Sequence, residues 1–164
     1  MFKINDYVVY GTTGVCKIVD ITKEKYLGGS ETEYYVLQPV FNSKMVIKTP
    51  VNNKKVVMRN IITKDDVLSL IDDMSNKEAV SIDNDRERSE LCKAALKSGD
   101  SEEWLKVIKI LKQEEKEKKA IGKKLNKIDE ELMNEAKRQL FEEFAIVLDI
   151  LPEEVQQYIK KRIS

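Results

Sequence analysis

Near residue 63 the spacing of apolar side chains changes from two to between three and four. No single class of element satisfies both periods, so the chain must change architecture there. Before that point β-branched and aromatic residues alternate and glycines punctuate them. Asp6–Tyr10 reads as a strand and Gly11-Thr-Thr-Gly14 as a turn. Val15–Thr22 alternates Val15, Lys17, Val19 and Ile21 against Cys16, Ile18 and Asp20, a second strand. Gly28-Gly29-Ser30 is a hairpin loop, and Glu33–Gln38 a third strand that Pro39 ends or places at an edge. Lys44–Thr49 and Lys55–Arg59 complete five short strands, the pattern of a small antiparallel barrel.

From Thr63 the signals are helical. Thr63-Lys-Asp-Asp66 is a capping box ahead of Val67, Leu68, Leu70 and Ile71. A polar linker over Ser75–Ser81 precedes a helix over Asp83–Lys97, which Ser98-Gly99 stops. Ser101-Glu-Glu-Trp104 starts the next helix, with Trp104, Leu105, Ile108 and Leu111 on one side, so Trp104 is expected in the core. Asn126 can cap a fourth, turning Ile128, Leu132, Met133, Ala136, Leu140 and Phe144 inward. Pro152 opens a fifth at its first turn. The expected class is α+β: a small N-terminal antiparallel SH3/Tudor-like β-barrel over residues 1–62, then an all-α domain of about five helices over 63–164.

Charge divides at the same place. The whole chain has 29 basic and 29 acidic residues, but the first 62 residues hold nine bases against five acids, so the first part is +4 and the second −4. Opposite charge suggests two units with different partners. The chain has no histidine, which removes His-based triads, imidazole zinc sites and the usual proton shuttle near neutral pH. Cys16 and Cys92 form no CxxC and read as reduced, buried thiols. Gly11–Lys17 lacks the spacing of a phosphate loop and precedes a strand, where such a loop precedes a helix. The acid pairs Asp65-Asp66, Asp72-Asp73 and Glu130-Glu131 are helix neighbours whose side chains diverge. Neither enzymatic activity, nor a cofactor, nor a metal is expected. Lys3 and Asp6 interrupt any secretory signal, and the longest apolar run, Phe144–Leu148, cannot span a membrane. A cytoplasmic location is expected.

Between Lys112 and Lys119 there is no apolar residue, so this stretch is expected at the surface. Lys109, Lys112, Lys116, Lys119 and Lys123 are spaced to share a helix face. They can follow a phosphate backbone, or they can line a solvated face with pairs such as Glu114–Lys118 and Glu115–Lys119.

The order of several segments resembles the CarD/CdnL family. They are Phe2–Tyr10, Gly14-Val15, the Gly-Gly hairpin, Tyr34–Leu37, Met45–Pro50 and Arg59, then Ser98-Gly-Asp100 before Val107–Leu111, and Ala136–Leu140 with Glu143. The resemblance covers almost the whole chain. It implies a bacterial transcription regulator with a Tudor-like domain on the β-subunit lobe of RNA polymerase. It further implies a helical domain at the upstream edge of the promoter bubble. On the polymerase side it points to Glu24, Met45, Val46, Ile47 and Lys48, with Lys48 in a basic position and Glu24 where arginine is common. On the DNA side it points to Arg88 and Lys109, with Arg86, Lys93, Lys97, Lys112, Lys116 and Lys119 beside them. The tryptophan that family members wedge at the DNA junction falls on Asp85 here. About five residues are inserted around Lys119–Lys123. The expected function is binding of polymerase and stabilisation of the open promoter complex by weak, sequence-independent DNA contacts. The alternatives are a polymerase-binding protein whose helical domain takes a protein partner, and, outside transcription, a module for RNA or a ribosomal surface.

Overall fold

The computed structural model describes residues 1–25, 27–42, 44–76 and 80–164. Part of the expected 75–81 linker, residues 77–79, lies outside them. The chain divides into two compact units, Met1–Ile61 and Ile62–Ser164. Among the described residues, five strands lie in the first and five helices in the second, an α+β arrangement.

The first unit is one antiparallel sheet. Its strands are β1 (Tyr7–Tyr10), β2 (Gly14–Lys25), β3 (Glu31–Pro39), β4 (Ile47–Pro50) and β5 (Met58–Asn60), in the order β4-β3-β2-β1-β5. This is the meander of a Tudor-like domain; its ladder stays open between β4 and β5. One face buries Val8, Cys16, Ile18, Tyr35 and Leu37, with Phe2, Tyr10, Ile21, Ile47 and Met58 packed around them. The alternation of β2 breaks once. Ile18 pairs with Leu37 and Asp20 with Val36, so Val19 is an extra residue on a bulge. Cys16 and Ile18 face inward before the bulge and Ile21 after it, so the simple alternation expected for Val15–Thr22 does not hold through this strand. The first residues are tied down by Tyr35, whose hydroxyl accepts a 3.1 Å hydrogen bond from the Phe2 N–H beneath an edge-on ring contact.

Two corrections concern strand ends. The fourth strand starts at Ile47, not Lys44, and the fifth at Met58, not Lys55. Pro39 closes β3 beyond Leu37, where pairing with β4 has ended, so its missing N–H breaks no bond to that strand. At the β1–β2 turn Gly11 has φ +49°, and a Cβ there would lie 2.9 Å from Val56 Cγ1.

The second unit contains α1 (Lys64–Met74), α2 (Asp85–Lys97), α3 (Ser101–Ala120), α4 (Lys127–Leu148) and α5 (Pro152–Ile163). Side chains chosen by the sequence start four of them. Thr63 and Asp66 bond each other's backbone N–H reciprocally, and Asn84, Asp100 and Asn126 cap α2, α3 and α4. Pro152 is in the first turn of α5, and the Glu154 carboxylate accepts the Leu151 N–H. Asp149, at φ 56°, ends α4. The apolar faces meet in a core of Ile71, Cys92, Trp104, Leu111, Ala136, Leu140, Phe144 and Val155, all fully buried. Trp104 therefore sits where its neighbours' spacing put it. Ile128 does not: it is 54 % exposed, in the first turn of α4 before the buried stripe begins at Asp129. A buried carboxylate ties three segments of this unit together. Glu143 accepts hydrogen bonds from the Ser101 hydroxyl at 2.6 Å and the Ile62 N–H at 3.0 Å. Among the described residues no helix is long and apolar enough to cross a membrane.

Candidate functional site

In the sheet unit, the residues expected on polymerase gather at one edge. β4 is an edge strand, bonded on one side to β3. Lys48 sits on it opposite Val36, and its ammonium pairs with the Glu24 carboxylate of β2. β3 lies between those two strands, so the ion pair spans it. Both partners are partly exposed, which limits such a pair to about 0–1 kcal/mol in fold stability. Ile47 is half-buried against the sheet core. Met45 and Val46 precede the strand and are 43 % and 63 % exposed. Two solvated apolar side chains, an unpaired backbone edge and a cation are the parts needed to add a strand from a partner and fix its register.

The helical unit redistributes the expected DNA contacts. Arg86, Lys93 and Lys97 are exposed on α2, with Arg86 paired to Glu90 at 3.2 Å. Arg88 is not at the surface. It is fully buried, and its guanidinium holds Asp129 of α4 through two hydrogen bonds, 3.3 Å from Nε and 2.6 Å from Nη2. Nη2 also donates to Asp85 at 2.7 Å, Nη1 donates to the Ile82 carbonyl at 2.8 Å, and Glu114 of α3 lies 3.6 Å away. Arg88 therefore cannot serve as a phosphate contact in this fold, because its donors are spent inside the bundle. Burial opposes its charge, but the bonds to Asp129 and Asp85 outweigh that and raise its pKa. The same bond, from the Arg88 side, holds the Asp85 carboxyl below its usual range. Asp85, the position of the wedge tryptophan in the resemblance, is an exposed acid at the first turn of α2. Cys92, one turn after Arg88, is a buried thiol pushed up to about 11, chiefly by burial.

The lysine row on α3 is also less uniform than its spacing. Lys109 is committed to Asp73 of α1 at 2.9 Å. Lys112, Lys116 and Lys119 are exposed, while Lys123 falls beyond the end of the helix at Ala120. The stretch 112–119 is not wholly solvated: Glu114 is buried between Arg88 and Lys118. What the spacing missed is a groove of about 410 Å³ at the α3–α4 connection, where Lys119, Lys123, Lys124 and Lys137 surround Leu125 and Met133, with Glu115 and Glu130 at the rim. Four cations against two carboxylates leave this concavity with a positive lining.

The buried cluster left a signal in the sequence. Arg88 stands four, seven and eight residues before Cys92, Ala95 and Leu96, on the apolar stripe of its own helix. Asp129 stands likewise before Leu132, Met133 and Ala136. A charge of each sign on two inward stripes points to a buried pair. Among the described residues no cluster of His, Cys, Asp and Glu could hold a metal ion.

Comparison with curated proteins finds no match. Two family models do match: the CarD-like/TRCF RID domain over residues 2–62, and the CarD C-terminal domain over residues 66–160. Together they take in the sheet unit with its Lys48 edge and nearly all of the helical unit. The chain belongs to the CarD-like family, a non-enzymatic, transcription-associated family whose members interact with RNA polymerase.

Proposed function

We propose that this protein is a transcription regulator that docks on the β-subunit lobe of RNA polymerase through the β4 edge. Its helical unit then holds promoter DNA weakly, without reading sequence, and prolongs the open complex. The observation that carries the docking half is the exposed edge itself, with Met45, Val46 and Lys48 beside an unpaired strand, in a unit matched throughout by the polymerase-interacting family model. The DNA half rests on the exposed cations Lys93, Lys97, Lys116, Lys119 and Lys123, which can neutralise phosphates as point charges. A second reading, in which the helical unit takes a protein partner, is favoured by Asp85 in place of an aromatic wedge and by the burial of Arg88.

The test replaces Lys116, Lys119 and Lys123 together by Gln and leaves the rest of the chain intact. Binding to promoter duplexes is followed across a salt series. The proposal expects weaker binding on every sequence, and a salt slope reduced by about one per lysine that touches phosphate. Unchanged DNA binding by this variant, with polymerase binding kept, transfers the helical unit to the second reading.

A further inference from the structure

The face of the helical unit formed by α3, α4 and α5 carries a small apolar pit ringed by lysines. Its walls are Leu105 and Ile108 of α3, Phe141 of α4 and Ile159 of α5. Lys112, Lys137 and Lys160 stand at its rim. None of these three forms an ion pair among the described residues, in contrast to Lys109, which shares the wall and is bound to Asp73. Lys112 and Lys137 also repel each other. Burial, and then that like charge, lower the pKa of Lys112, and Glu115 offsets this in part. At Arg138, by contrast, the charge is answered by Glu135 and Glu142. Here three cations are left converging on an apolar hollow.

The hollow holds about 150 Å³. That is well below the roughly 300–1,000 Å³ of pockets that enclose small molecules. It suits one large apolar side chain presented by a longer ligand that stays outside. The rim then selects what flanks that side chain: carboxylates, which would relieve the lysines' mutual repulsion.

We infer that this pit is a docking site for an acidic protein segment that inserts a single aromatic or large aliphatic side chain. The pit shares Lys137 with the groove that holds Lys119 and Lys123, but none of its own three lysines is varied in the DNA test. It holds whether or not the helical unit also touches DNA. Binding would convert the unpaired rim into ion pairs and cover the apolar walls, so charge and burial act on the same ligand.

The test titrates the full nitrogen-labelled chain with the peptide Asp-Glu-Asp-Phe-Glu-Asp and follows backbone NMR shifts up to millimolar peptide. The expected result is saturable shifts centred on Ile108, Lys112, Lys137, Phe141 and Ile159. The double variant Lys112→Ala/Lys137→Ala should weaken binding about tenfold, and so should a peptide with its Phe replaced by Ser. Lys112 is exposed and Lys137 half-buried, neither forms an ion pair among the described residues, and alanine favours the helix, so the variant keeps its fold. No saturable shift, or binding indifferent to the loss of the Phe, overturns the inference. So do shifts at these residues with a DNA duplex or with dodecanoate but not with the peptide.

Discussion

Arg88 takes a permanent positive charge into the interior of a helical bundle, and the bundle answers with Asp129, Glu114 and the outlying Asp85. Removing one member of a buried pair leaves the other uncompensated, at a cost of about 3–5 kcal/mol. Arg88→Met should therefore lower the urea-unfolding free energy by an amount in that range. Arg86→Met, on the exposed side of the same turn, should stay within about 0.5 kcal/mol of the parent. Equal stabilities for the two variants would mean that Arg88 is solvated and free to reach a phosphate. The proton linkage of Asp85 follows from the same bond. Its carboxyl is held below the ordinary value of 3.8, chiefly by the Arg88 hydrogen bond. Its contribution is present above that value and fades as pH falls through the lowered one.

At the scale of elements, turns and edges decide more than strand propensity. Gly11 combines a positive φ with a close neighbour, since a Cβ added to it would meet Val56 Cγ1 at 2.9 Å, whereas Gly28 has a positive φ and open space around it. A side chain in the left-handed region costs about 1–2 kcal/mol. Gly28→Ala should lose about that much in thermal or urea unfolding, and Gly11→Ala clearly more, because Val56 must also move. Equal losses would show that the β1–β2 turn relaxes freely. Most helix starts were legible: Thr63, Asn126 and Pro152 act as their residue types dictate, since capping is a local matter, but α2, expected from Asp83, starts at Asp85 behind the Asn84 cap. Strand ends were not, because β4 exists only where β3 pairs with it, from Leu37 to Tyr34, and a β-rich run such as Lys44–Val46 has no partner there. The bulge at Val19 was likewise invisible to a count of alternation. In the candidate site, spacing put Lys109 to Lys123 in one row, but it could not show that Asp73 claims Lys109 or that Ala120 ends the helix before Lys123. The first depends on a segment distant in sequence; the second is local, because Gly122 at φ 71° turns the chain while the Gly122 and Lys123 N–H groups donate to the Lys119 and Lys118 carbonyls, a glycine stop that the lysine spacing passed over.

For the molecule as a whole, net neutrality conceals a basic sheet unit and an acidic helical one. An acidic unit with a few exposed lysines is suited to weak DNA contact, and Asp85 at the start of α2 adds repulsion where the family resemblance places an aromatic wedge. Asp85→Trp removes that charge and offers a face for stacking on an exposed base, worth roughly 1–3 kcal/mol in single-strand complexes. It gives up one part-buried hydrogen bond from Arg88, which keeps both bonds to Asp129. The variant should lengthen the lifetime of the open promoter complex at fixed polymerase and salt. A lifetime unchanged or shortened, with polymerase still bound, would place the helical unit away from the bubble.

The β4 edge is the proposed polymerase-docking surface. Lys48→Glu tests it most directly, since it reverses the edge cation and sets a second carboxylate beside Glu24. The original pair is partly exposed, so the fold should lose no more than about 1 kcal/mol. Titration of RNA polymerase with the full chain should show affinity for the variant reduced about tenfold or more, with an unchanged circular-dichroism spectrum. A folded Lys48→Glu variant that binds polymerase as tightly as the parent would mean that polymerase docks elsewhere than on the β4 edge.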